Sequence, residues 1–122
     1  MNKIKINIFS SSRYKLSRRE IKRFVKEILS EKGVQTGVLN IAFVGKIKMK
    51  RLSRDYKNED AALPVLAFPY FQHQNKYEFL IGEIVICYPQ AILLAAEKDK
   101  PVSKILEFLL THALDNLLKE YR

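Results

Sequence analysis

Cysteine, histidine, glycine and tryptophan are all scarce in this chain, and each scarcity closes off a class of chemistry. There is one cysteine and no tryptophan, and there are four glycines, four prolines and two histidines in 122 residues. A lone Cys87 cannot form an internal disulfide and fits a reducing compartment. With no C-x-x-C pair, cysteine-based zinc sites are excluded as well. Four glycines are too few and too scattered to build a phosphate-cradling loop or a dinucleotide fingerprint. No G-x-S-x-G occurs, so a serine nucleophile of that kind is not expected. No apolar run approaches a membrane span. The first residues, MNKIKINIF, place Lys3 and Lys5 inside the apolar stretch, unlike a signal peptide. A cytoplasmic setting is expected, without a membrane partner.

Positive charge is what the chain has in excess. Its net charge is +9, and the imbalance is one-sided. Residues 1–60 hold 16 Lys/Arg against 6 Asp/Glu, while residues 61–122 hold 6 against 7. A basic excess confined to one half points to a polyanionic partner. Anionic membrane fits poorly, because the basic helices lack an aromatic-rich apolar face. Arg18, Arg19, Lys22 and Arg23 cluster on one expected helix. Lys46, Lys50 and Arg54 recur at i, i+4 and i+8 on a second. Either ridge alone reads as a solvated face; two together favour RNA or DNA.

Periodicity gives the order β-α-β-α-β-β-α-α within a single domain, residues 1–122. Residues 2–9 alternate lysine and asparagine with isoleucine, as a half-buried strand does. A helix follows over 17–32, opened by Ser17 with Glu20 three residues on, a capping box. Its inner stripe is Ile21, Phe24, Val25, Ile28 and Leu29, and Gly33 ends it. Residues 38–44 form a second strand. A helix over 46–56 turns Met49, Leu52 and Tyr56 inward. Pro64 and Pro69 confine the third strand to about 65–68, and a polar hairpin-like loop carries His73. A fourth strand covers 79–87, and a helix over 89–98 presents an alanine-rich inner face. The last helix, from Pro101 to Arg122, is expected at the centre of the molecule. Val102, Ile105, Leu106, Leu109, Leu110, Ala113, Leu117 and Leu118 form its stripe, widened by Phe108, Leu114 and Tyr121. The short link between the third and fourth strands implies an α+β fold on a mixed four-stranded sheet.

Within that frame few residues can carry chemistry. His112 has Asp115 at i+3 and Asn116 at i+4, and a neutral carboxamide is a poor zinc ligand. The ordinary reading of His112 is a buried, hydrogen-bonded histidine on a core helix. Glu83 interrupts the apolar run IGEIVIC, and its ordinary reading is the solvent side of an edge strand. Cys87 reads as buried packing.

Three segments nevertheless resemble the YbeY family of ribosomal RNA maturation endoribonucleases, in order and spacing. The stretch Leu52-Ser53-Arg54-Asp55-Tyr56-Lys57-Asn58-Glu59-Asp60, continued by Ala61-Ala62-Leu63-Pro64-Val65-Leu66-Ala67-Phe68-Pro69, is similar to the family pattern L-N-x-x-Y-R-G-K-D-x-P-T-D-V-L-S-F-P. Gly82-Glu83-Ile84-Val85-Ile86 resembles its G-D-I-V-I strand. Residues 112–122, HALDNLLKEYR, fall on its zinc motif H-G-x-L-H-L-x-G-x-D-H. The resemblance implies a YbeY-like fold with the C-terminal helix central, RNA or the ribosome as partner, and zinc as the family's cofactor.

The departures lie on the functional positions. Of the three ligand histidines only His112 remains, with Asn116 and Arg122 at the other two. A permanent cation repels a dication, and with the sequence ending at Arg122 no downstream donor is expected. Lys57 stands at the position of the family's arginine, keeping the charge without the bidentate fork. The T-D pair is Leu63-Pro64, and two glycines of the zinc motif are Ala113 and Lys119. Two readings follow. In the first, a YbeY-like rRNA maturation factor binds RNA or the ribosome through Arg18, Arg19, Lys22, Arg23, Lys46, Lys50, Arg54 and Lys57, without zinc-dependent cleavage and with no cofactor. In the alternative, it is an active metal-dependent endoribonuclease, with His112 as metal ligand or acid–base group, Lys57 stabilising the phosphorane, and Asp115 or His73 as further ligands.

Overall fold

A computed structural model describes residues 3–69 and 80–119. The elements run β1 (Lys3–Phe9), α1 (Arg18–Glu31), β2 (Thr36–Val44), α2 (Lys46–Lys57), β3 (Val65–Pro69), β4 (Leu80–Cys87), α3 (Tyr88–Lys98) and α4 (Val102–Leu118). The sheet order is β1-β2-β4-β3. β1 with β2 and β2 with β4 are parallel; β3 runs antiparallel to β4. This is the α+β arrangement with a mixed sheet that the alternation and loop lengths imply. The loop carrying His73 lies outside the described residues, as do Tyr121 and Arg122.

Local chemistry accounts for the element ends. The Ser17 hydroxyl accepts the Glu20 N–H and so satisfies one orphan donor of α1. After α2 the chain turns left-handed at Asn58, whose φ is 55°, and both Asn58 N–H and Glu59 N–H return to the Ser53 carbonyl. Asparagine is the residue besides glycine that tolerates this conformation best. It thus stands in for the glycine of the family pattern without breaking the turn.

Strand alternation divides the core in two. Ile84 and Ile86 of β4, with Leu39, Ile41 and Phe43 of β2, face a large cluster completed by α1, α3 and α4. Val85 and Cys87 face the other way, where they meet Met49 of α2 and Leu66 of β3. α4 buries Ile105, Leu106, Leu109, Leu110, Ala113, Leu114, Leu117 and Leu118. It packs on β3, β4, α1 and α3, the central placement that its wide stripe predicts. Phe108 departs from that prediction: it is 64% exposed and belongs to the outer face of α4.

Gly82 sets how closely α4 can sit on the sheet. A β-carbon there would lie 2.7 Å from the Phe68 carbonyl oxygen and 2.8 Å from Leu117 Cδ2. The first of these is backbone and cannot swing aside. Gly82→Ala is therefore expected to destabilise the protein by about 1–3 kcal/mol, the usual cost of overpacking. A denaturant midpoint equal to wild type would refute the close approach.

Candidate functional site

The two basic ridges lie on opposite sides of the molecule. α1 packs its stripe into the large cluster, whereas α2 covers the other face of the sheet. Arg18, Arg19, Lys22 and Arg23 are exposed on α1, and Lys46, Lys50, Arg54 and Lys57 are exposed on α2. The residues read together from one half of the sequence are thus not one continuous surface. Arg18 is partly engaged, donating from its guanidinium to the Ile8 carbonyl. On α2, Lys50 and Arg54 both approach Asp60, at 3.9 and 3.4 Å. Those pairs are well exposed and hold the two cations only weakly.

The conformation of the segment after α2 is fixed from beneath. Ser53, the one fully buried polar residue among those described, accepts the Leu63 N–H at its hydroxyl. Gln90 donates from its side chain to the Ala62 carbonyl at 2.6 Å, and the Cys87 N–H donates to the Pro64 carbonyl. Cys87 itself is inert packing. Burial pushes its thiol above the ordinary value, opposed in part by the Gln90 backbone N–H and the Lys46 charge.

Between α2 and the sheet lies a cleft of about 180 Å³, lined by Ala42, Val44, Lys48, Leu52, Tyr56, Phe68, Glu83 and Val85. Two expectations are corrected here. Glu83 is on β4, an interior strand and not an edge, and it is half-buried at the cleft floor. Its Cα partners are Asn40 on one side and Phe68 on the other. Asn40 in turn pairs with Asn7, whose side-chain Nδ2 donates to the side-chain Oδ1 of Asn40 at 2.9 Å. A polar row therefore crosses the face of the sheet that α2 only partly covers. Tyr56, read as an inward residue of α2, is 63% exposed and leans edge-on against Phe68 with ring centroids 5.0 Å apart. The short strand β3 brings Phe68 to meet it, and Ser53 takes the buried position instead. The aromatic pair was not singled out as a site from the sequence. The detectable signal was Glu83, a carboxylate in an otherwise apolar strand.

His112 is exposed, which overturns its reading as a buried core histidine. The inward stripe of α4 passes through Leu109, Leu110, Ala113 and Leu114, and position 112 falls on the far side. Asn116 Nδ2 lies 3.4 Å from His112 Nε2. Asp115, the nearest carboxylate in sequence, is held by Lys32 at 2.8 Å, an ion pair joining the end of α1 to α4. Among the described residues no three His, Cys, Asp or Glu side chains converge as a metal site would require. The described donors around His112 do not fit zinc: one imidazole has a carboxamide facing its ring nitrogen, and the neighbouring carboxylate is turned to Lys32. Arg122 and His73 lie outside the described residues. Lys57 ends α2 on the opposite side of the sheet from α4, and among the described residues no hydrogen bond or ion pair joins it to His112.

The fold also has known counterparts. The chain matches the solution structure of TM1509 from Thermotoga maritima with a TM-score of 0.57 at 20% identity, over 98% of this chain and 78% of that one. That likeness concerns the fold alone. The family model described as endoribonuclease YbeY matches residues 6–118, and the chain belongs to the YbeY endoribonuclease family. Endoribonuclease YbeY of Aromatoleum aromaticum is 34% identical over 79 residues, covering 65% of this chain and 49% of that protein. The Persephonella marina protein of the same name is 28% identical over 119 residues, covering 97% of this chain and 77% of its own length. A third, from Finegoldia magna, is 29% identical over 80 residues, covering 66% of this chain and 52% of that protein. With the first of these relatives and the third, the match spans only about half of their length.

Among the described residues no helix is long and apolar enough to cross a membrane.

Proposed function

We propose that this chain is a ribosomal RNA maturation factor that binds RNA, free or within the ribosome, and does not perform zinc-dependent cleavage. The observation that carries this reading is the state of α4. It keeps the family's place at the centre of the fold, yet offers a single exposed imidazole with Asn116 against its Nε2 and Asp115 tied to Lys32. The exposed cations of α1 and α2 supply what RNA binding needs: fixed positive charge at the surface, able to displace counterions from phosphate. Lys57 contributes charge as part of that surface, without the fork that an arginine would present to one phosphate.

Two measurements on the untagged protein test the reading together. Binding to a single-stranded RNA should weaken steeply with salt, log K falling with log salt by about 0.7 for each phosphate neutralised. Zinc measured after purification should be far below one per chain. A flat salt response would reject RNA binding. A stoichiometric metal, with RNA cleavage abolished by chelator and by His112→Ala, would establish the active endoribonuclease in its place.

A further inference from the structure

The cleft over β4 has a composition that neither a general phosphate-binding surface nor a packing defect accounts for. It is lined by aliphatic and aromatic side chains with one lysine, Lys48, and one carboxylate, Glu83. Among the described residues Glu83 makes no hydrogen bond or ion pair, and no buried side-chain oxygen is left without a partner, so its carboxylate oxygens remain within reach from outside. A carboxylate so placed is acceptor-only and calls for a partner with two adjacent donors. The volume of about 180 Å³ is below the range of about 300–1,000 Å³ typical of drug-sized ligand pockets, and suits one heterocycle.

We infer that this cleft is a guanine-binding pocket for a single unstacked base of RNA. The inference rests on the RNA-binding reading above and deepens it. Of the four bases, only guanine sets two N–H donors side by side on its Watson–Crick edge, N1–H and the N2 amine, matching the two oxygens of one carboxylate. Cytosine and adenine place an acceptor beside their amine, and uracil flanks its one donor with carbonyls. Single-stranded bases are read in this manner, splayed out, stacked on an aromatic ring and bonded along that edge. Tyr56 and Phe68 provide the stacking wall, and the exposed Lys48, which lines the same cleft, supplies a cation for the phosphate of that nucleotide. Charge decides against the other donor pair that a carboxylate can hold, an arginine side chain from a protein. α2 as a whole carries Lys46, Lys48, Lys50, Arg51, Arg54 and Lys57 against the single carboxylate Asp55, with Lys48 at the cleft itself, and this positive field repels a cation and attracts a polyanion carrying a neutral base.

The test compares binding of the full chain to labelled oligouridylate carrying one central guanosine, inosine, adenosine or cytidine. Inosine keeps N1–H and lacks only the N2 amine. Guanosine is expected to bind about tenfold tighter than inosine or adenosine, in line with a bidentate base contact. Glu83→Gln, which keeps shape and removes the paired acceptors, should erase that ratio while leaving the salt slope unchanged. Tyr56→Ala should weaken all four oligonucleotides alike. Salt-dependent binding that ignores the central base would overturn the guanine pocket and leave RNA binding standing. Absence of salt-dependent binding would remove both. Capture of a short arginine peptide, lost in Glu83→Gln and without any base preference, would overturn it by assigning the cleft to a protein side chain.

Discussion

Truncating Leu110 to alanine is expected to lower the unfolding free energy by about 2–5 kcal/mol. Leu110 is 1% exposed, at the midpoint of α4 and in contact with the cluster that α1, α3 and the sheet share. It also lines an open cleft of about 260 Å³ between the start of α1 and the first half of α4. Domains of this kind hold only about 5–15 kcal/mol in total. The variant should therefore unfold at a visibly lower urea concentration with an unchanged slope. A loss below about 1 kcal/mol would contradict the central position of α4.

The second large effect concerns charge. Replacing Lys46, Lys50 and Arg54 together by glutamine should reduce the salt slope of single-stranded RNA binding by about 2, at 0.7 for each of three lost phosphate contacts. Replacing Arg19, Lys22 and Arg23 should change it far less with a short oligonucleotide. The reason is geometric. α1 and α2 cover opposite faces of the sheet, and a strand of a few nucleotides seated at the α2 cleft cannot reach both. Equal losses from the two triple variants would mean that RNA wraps the molecule or that the α2 cleft is not where it sits. Each variant removes exposed charges only, so thermal unfolding should be near that of the parent.

The sheet and helices were legible in the sequence because their signals are local. Ser17 with Glu20, the alternation of β1 and the stripe of α4 each declare an element within a few residues. The prolines around β3 likewise marked it as a short strand. What was not legible depends on which elements become neighbours. Nothing in IGEIVIC tells that β4 lies between β2 and β3, so Glu83 read as an edge residue when it is the floor of a cleft. His112 misled for a related reason. A helix covered on several sides still has one outward direction, and a pattern crowded with leucine hides where it points. Tyr56 could have filled the inner stripe of α2 by spacing alone, but the buried slot went to Ser53, whose hydroxyl and carbonyl organise the following turn. The family resemblance, by contrast, set Asn116 and Arg122 against the family's ligand positions before any geometry was known. Geometry then added the surroundings of the remaining histidine: the amide of Asn116 against its imidazole, and Lys32 on the neighbouring Asp115.

The two outermost strands also bear on how the protein behaves in a crowd. β3 is only five residues long, Pro64 precedes it and Pro69 closes it, and β1 carries exposed Lys3 and Lys5 along the opposite border. A missing N–H and repelling ammonium groups are the usual obstacles to a neighbour's backbone zipping onto an open margin. An unguarded mixed sheet invites fibrils and amorphous clumps at high concentration. This one carries its own deterrents at both ends, so a chain so rich in isoleucine and leucine can remain dispersed while its faces stay free for a nucleic acid.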